Sequence, residues 1–279
     1  MSPHAFLWTA AKGIRDIGAL PGDSQSYGIG INDSDAIVGI SMSTTFGNRA
    51  FLWTPSGGMQ DLGNLGGRGG TSATGINHAG EVVGYSLLPD NTTIHAFLWT
   101  KAGGMQDLGT LGGSYSAAYG INDAGEVVGQ SILSGATTVF RAFLWTQASG
   151  MKNLGSLTKS NQSGALAINE SGEVVGFSFS GVYPAAFAWM QNQGMWPVGG
   201  NRSTACGISA TGEIVGSFGF SLSAFIWTPT SHEQNLNDLI PPNSGWSLFQ
   251  ACAINRSGQI AAEGTIGGQT HGALLTPAN

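Results

Sequence analysis

Charge is scarce in this chain. Of its 279 residues only 9% are Asp, Glu, Lys or Arg, against roughly a quarter in ordinary soluble domains. Basic residues are scarcer still: 10 Lys and Arg stand against 16 Asp and Glu, a formal net charge of −6. A phosphate backbone needs a basic surface, so no nucleic-acid partner is expected. Long apolar runs are missing as well, and none approaches the ~18 residues of a bilayer-spanning helix. No charged-then-apolar leader precedes Pro3, so the chain is made without a signal peptide or starts after one. Cysteine is nearly absent. Cys206 and Cys252 form no CxxC pair, which leaves neither a disulfide framework nor a zinc knuckle. There is no HExxH, no GxSxG, no P-loop, and no GxGxxG opening a helix. The five histidines have no helical metal spacing, and no cofactor or metal is expected. No long stretch repeats every 3.6 residues, which argues against helices.

Glycine is what the chain has in quantity, 45 residues, so turns are frequent. The hydrophobic fraction of 41% suffices for a packed core. One apolar phrase recurs: HAFLWT at 4–9 and 95–100, AFLWT at 50–54 and 142–146, then AFAWM at 186–190, AFIWT at 224–228 and GALLT at 272–276. The Asn of GIN gives the period. Asn32, Asn77, Asn122, Asn169, Ser209 and Asn255 stand 45, 45, 47, 40 and 46 residues apart. Each unit holds four apolar runs split by turn residues: strand A (SAAYGIN in the third unit), B (EVVGQS), C (RAFLWT) and D (GMKNLG). The NDAG between A and B has turn chemistry, with Gly125 free to take positive φ and Asp35 at the same place in the first unit. Four antiparallel strands every 40–47 residues predict a propeller blade.

The fold class is therefore all-β, a six-bladed β-propeller of four-stranded antiparallel blades in one domain over residues 1–279. The units run over about 22–63, 71–109, 114–155, 162–199, 203–239 and 247–276, with closing strands at 4–18. A blade packs both faces on its neighbours, so strand C must be apolar on both. Phe and Trp of AFLWT point one way and Leu the other, and burying such an aromatic contributes roughly 1.5–3 kcal/mol. The ring must close or leave exposed edges. The last unit has A, B and a degenerate C but no D, while the N-terminus offers C (4–9) and D (13–18). One C strand is surplus. Pairing of the N- and C-terminal strands is the expected closure; a five-stranded last blade or a piece of a longer array are the alternatives.

The residues HAFLWT, MQDLGNLGG (59–67), MQDLGTLGG (105–113) and GINDAGEVVG (120–129) resemble the HAF-repeat family, also called probable extracellular repeat proteins. The resemblance covers nearly the whole chain and fades in units five and six. Members are typically bacterial, carry export signals and have no assigned activity. The resemblance thus implies a secreted or extracytoplasmic protein and is silent on chemistry. The architecture is similar to Kelch propellers, without the Kelch double-glycine and Tyr/Trp pattern in register.

The A–B and C–D turns are monotonous, whereas the D–A and B–C loops differ in every unit. Function on a rigid scaffold collects in variable loops. The candidate ligand-binding residues there are Asp23, Arg68, Tyr115, Lys159, Arg202 and Trp246, expected around the mouth of the channel. The six-fold Asn row is read as turn capping, because six amide or hydroxyl groups make a poor calcium site. Glu81, Glu126, Glu173 and Glu213, at the start of strand B, are expected to face solvent. Glu263 is expected to be exposed, since a carboxylate buried alone there is costly. Interchange of His4, His95 and His271 with Arg49 and Arg141 before strand C argues against zinc. Cys206 and Cys252 occupy equivalent strand-A places and are expected as free thiols buried between blades, because their Cβ vectors do not converge. The function expected is a monomeric binding or adhesion module that takes a glycan, peptide, polymer or other small molecule on the variable loops. The alternative is a hydrolase or lyase at the channel mouth, with Asp23 set against Lys159 or Arg202 as its titratable groups.

Overall fold

The structure is a computed structural model that describes residues 2–43, 45, 47–136, 138–158, 162–220 and 222–277. The chain divides into two compact units, one of Met1–Thr138 and Leu144–Lys152, the other of Val139–Phe143 and Asn153–Asn279.

Apolar runs between glycine-rich turns become strands throughout. The first unit opens on a hairpin, β1 (Ala5–Thr9) with β2 (Gly13–Gly18). A four-stranded antiparallel sheet follows: β3 (Gln25–Ile31), β4 (Ile37–Ser43), β5 (Gly47–Thr54) and β6 (Gly58–Asp61). The next sheet is β7 (Ser72–Ile76), β8 (Val82–Leu87), β9 (Ile94–Thr100) and β10 (Gly104–Asp107). One parallel bridge, Tyr115↔Ile94, joins it to β11 (Gly112–Ile121), which pairs with β12 (Val127–Leu133). The order continues through β13 (Phe140–Thr146) and β14 (Gly150–Gly155). The second unit holds β15 (Ser163–Ile168), β16 (Val174–Ser180), β17 (Tyr183–Met190) and β18 (Gly194–Asn201), then β19 (Ser203–Ile208), β20 (Ile214–Phe218), β21 (Ser223–Thr228) and β22 (His232–Asn235). Its last sheet has three strands, β23 (Ser247–Ile254), β24 (Ile260–Ile266) and β25 (Gln269–Leu275). Among the described residues the single helical element is the 3-10 turn Leu236–Asp238. No helix is long and apolar enough to cross a membrane.

The recurring phrase is core in its five middle copies, whereas Phe6 and Trp8 of β1 and Leu274 of β25 are exposed, against the expectation of a buried strand C there. Phe51, Phe97, Phe143, Phe187 and Phe225 are fully buried. In the first unit Phe97 and Trp99 pack against Val38, Ala50 and Leu62 of the preceding sheet. Phe51 and Trp53 do the same with Ala5 and Ile17 of the N-terminal hairpin. The hairpin thus takes the C and D places of a sheet preceding β3–β6. A serine marks the same relation. Ser26 Oγ accepts from the Ala5 amide at 2.9 Å, as Ser116 does from Ala96 at 2.8 Å.

The strands at the two chain ends each pair with a sequence neighbour. Among the described residues β1 pairs with β2 alone and β25 with β24. The reason is local: β25 follows a two-glycine turn, Gly267 and Gly268 at φ 59° and 78°, and runs in full register from Ile266↔Gln269 to Ile260↔Leu275. So short a turn keeps the loop-closure cost of this pairing small.

Every strand A carries a bulge, which frees one residue from the ladder: Ile29, Thr74, Tyr119, Leu166, Cys206 and Cys252. Both cysteines are free, but only Cys206 is shielded. Cys252 is exposed, which corrects the expectation of burial. Cys206, by contrast, is met by Gln250 of the following sheet, whose Nε2 lies 3.8 Å from its Sγ. Partial shielding of the Cys252 thiol, then the nearby Glu263 carboxylate, still push the pKa to about 11. Glu263 itself is exposed.

The Asn row caps its turns and does more. Asn77 Oδ1 accepts from the Glu81 amide at 2.9 Å, while Nδ2 donates to Glu81 Oε2 at 2.7 Å and to the Asn122 carbonyl one sheet on at 3.2 Å. Asn32 reaches the Asn77 carbonyl at 2.9 Å, and Asn169 reaches that of Ser209 at 3.1 Å. The row stitches successive sheets together. Glu81, Glu126, Glu173 and Glu213 are accordingly half-buried partners of this row rather than solvent-facing groups.

Burial raises the Glu173 carboxyl above its ordinary range, with the Asn169 amide opposing the shift. A raised carboxyl favours folding while protonated and loses that contribution as pH climbs from 4.5 through the raised value. Glu173→Gln keeps an acceptor for Asn169 and never ionises. It is expected to raise Tm at pH 7 by roughly 1–3 °C, an advantage that thermal melts should show vanishing at pH 4.

Candidate functional site

In the first unit a basic residue directly before AFLWT meets an Asp twelve positions later. The antiparallel register, Phe51↔Asp61 and its equivalents, brings the two side chains to one end of the C–D hairpin. His4 pairs with Asp16 at 3.0 Å, Arg49 with Asp61 at 3.0 Å and His95 with Asp107 at 2.8 Å. Each Asp also takes an amide two residues on, from Gly18, Gly63 or Gly109. For Asp16 that amide, then His4, holds the carboxyl below its usual range. The spacing is legible in the sequence, although the pattern there weighs the residues before strand C only as metal ligands.

Arg49 is the most engaged of these. It also donates from Nε to Asp23 Oδ2 at 3.1 Å and from Nη2 to the Pro21 carbonyl at 2.9 Å. The Asp23 side chain is wholly buried, and its Oδ1 has no hydrogen-bond partner among the described residues. Asp23 is therefore corrected from a ligand-facing loop tip to a buried anchor for Arg49. In front of Arg49 lies a cleft of about 540 Å³, where Asn48, Asp61, Asn64, Arg68 and Thr71 also converge. Its walls come from the start of β5, the end of β6 and the loop before β7. Arg68 is exposed, its amide held by Asn91 Oδ1 at 2.7 Å. Its guanidinium makes no hydrogen bond or ion pair among the described residues.

The other candidates lie elsewhere. Tyr115 sits within β11, not on a loop tip, and its phenol is a neighbour of Tyr119. Burial first, then Tyr115, raise the Tyr119 phenol well above its ordinary range. Gln130 Nε2 donates to the Tyr119 hydroxyl at 3.0 Å. Trp246 is half-buried against the last core cluster and stands edge-on to His271 at 6.3 Å. Both aromatics are half-buried. Arg202 lies between the rings of Tyr183 and Phe220, each centroid 3.2 Å from Cζ. Lys159 lies outside the described residues. An apolar groove of about 820 Å³, lined by Leu239, Ile240, Pro241, Leu274 and Pro277, is not marked by any sequence pattern. Among the described residues no three His, Cys, Asp or Glu gather as a metal site.

No family model matches the chain, and no curated protein sequence does either. Solved structures do. TolB from Acinetobacter baumannii superposes with a TM-score of 0.54 at 12% identity, over 88% of this chain and 65% of that one. The β-propeller domain of the Trilobed protease from Pyrococcus furiosus, described as having an open velcro topology, gives 0.55 at 8% identity over 91% and 82%. A Mycobacterium tuberculosis puromycin-hydrolyzing peptidase gives 0.57 at 12% identity over 93% and 48%. The chain thus spans less than two thirds of the first and third of these. At such identities the likeness concerns the fold alone: this is an all-β chain on a propeller scaffold.

Proposed function

We propose that the chain is a ligand-binding module that takes a glycan or similar polar polymer on its D–A and B–C loops. The observation that carries this is the cleft before Arg49. Residues from three segments converge there, and Arg68 brings a guanidinium with no hydrogen-bond or ion-pair partner among the described residues. A volume of about 540 Å³ is ligand-sized. Its charged and amide walls suit a hydroxylated molecule better than an apolar one. The carboxylate in the cleft, Asp61, is already engaged by Arg49 and Gly63, which weighs against the hydrolase or lyase alternative.

We further propose one six-bladed domain of the HAF-repeat kind, working outside the cytoplasm as a monomer. Six strand-A bulges at a common place and the hairpin seated in the C and D places beside β3 support that count. The test is a glycan array run beside a broad hydrolase panel. Wild-type protein is expected to retain a polar glycan, and Arg68→Ala to weaken it at least tenfold with Tm unchanged. Retention that ignores Arg68, or no retention at all, defeats the binding reading. Turnover abolished by Asp61→Asn installs the enzyme in its place.

A further inference from the structure

Arg202 is the single residue between β18 and β19, and its backbone is strained. A φ of 69° is uncommon for a bulky side chain. Two turns hold it there: the Arg202 amide donates to the Pro184 carbonyl at 2.6 Å, and the Gly219 amide donates to the Arg202 carbonyl at 2.9 Å. The same turns supply the rings on either side of the guanidinium, Tyr183 and Phe220, whose centroids lie 6.3 Å apart. The two rings, tilted 60° to each other, enclose the guanidinium, whose N–H groups make no hydrogen bond or ion pair among the described residues. A planar, pre-organised guanidinium of this kind suits a carboxylate held by two parallel bonds. The surroundings are apolar and open: Phe220 is 82% exposed, Val182 79% and Leu222 52%.

We propose that this clamp binds the terminal carboxylate of a peptide that ends in an apolar residue. Charge complementarity supplies the carboxylate, because the Arg202 guanidinium has no anionic partner among the described residues. The aliphatic and aromatic fringe supplies the rest. It would cover one apolar side chain, whereas a uronate would set hydroxyls against Val182 and Leu222. The inference rests on reading the D–A and B–C loops as the ligand face. It uses residues of the second unit only, so it and the Arg68 cleft fail separately.

The probe is acetyl-Ser-Gly-Leu with a free carboxylate, set against its carboxamide and against digalacturonate. Binding is read from the Arg202 Nε–H resonance, assigned by its loss in Arg202→Lys. The free acid is expected to shift that resonance and to bind at least tenfold tighter than the amide, less so as salt rises. Arg202→Lys keeps the charge, loses the fork, and should cost about tenfold. Phe220→Ala, at a side chain too exposed to unfold the sheet, should cost several-fold. Equal binding of acid and amide, wild-type affinity in Arg202→Lys, an unmoved Nε–H at millimolar peptide, or tighter binding of digalacturonate would each overturn the proposal.

Discussion

Gly84→Ala is expected to unfold the protein or to lower its stability by at least about 3 kcal/mol. Gly84 follows two buried valines in β8 and stands opposite Ala73. A Cβ built there would lie 1.9 Å from the Ser72 carbonyl oxygen and 2.9 Å from the Phe97 ring. The oxygen is backbone of the paired strand, so relief requires breaking the β7–β8 ladder. Gly39, Gly129, Gly176 and Gly216 meet a strand-A carbonyl at 1.9–2.0 Å in the same way. The last sheet holds Ala262 at this place and has an additional irregularity between Leu248 and Gln250 that the β7–β8 pair lacks. Gly272→Ala is the control, since nothing lies within 4 Å of its added methyl. It should stay within about 0.5 kcal/mol of wild type. Urea titrations of both variants decide the matter; equal midpoints would show that the ladder yields where the geometry says it cannot.

Asn77→Ala is expected to cost about 2–3 kcal/mol. Asn77 is buried, and its amide holds the turn at Glu81 together with the Asn122 carbonyl of the next sheet. Removing it leaves a carboxylate and a carbonyl short of a donor. Asn255 caps its turn alike but is exposed, so Asn255→Ala should cost under about 1 kcal/mol. A loss of the same size at both would mean that the stitch between sheets contributes nothing. Asn77→Asp separates the two effects by pH. It replaces the donor with a carboxylate facing Glu81 Oε2, so one of the pair must keep a raised pKa. Its deficit should therefore exceed that of the alanine variant at pH 7 and shrink as the pH falls below 5.

The candidate site was legible in part. The basic residue before AFLWT and the Asp of DLG or DIG stand at a constant distance, and a hairpin register converts that distance into contact. Arg68 needed only the variability of its loop to be chosen. Asp23 reads the same way in sequence, but its carboxylate is turned inward by Arg49, a residue 26 positions on. The clamp at Arg202 was out of reach for a similar reason. Tyr183 opens β17 and Phe220 lies in the turn after β20, and no local pattern announces that a left-handed residue between β18 and β19 will point between them.

By itself, the sequence determined the strand content, the four-strand repeat, the buried face of AFLWT and the capped turns. These follow from alternation, period and glycine placement, all of which act over a few residues. Asp35 at φ 58° illustrates it: the turn demands positive φ, and the residue type shows that it can comply. Only the tertiary structure decided which carboxylates turned inward, which sheets the Asn row joined, and which glycines were irreplaceable. The Asn77 bond to the next sheet and the 1.9 Å approach at Gly84 depend on segments far apart in the chain or on backbone positions that side-chain pattern does not encode.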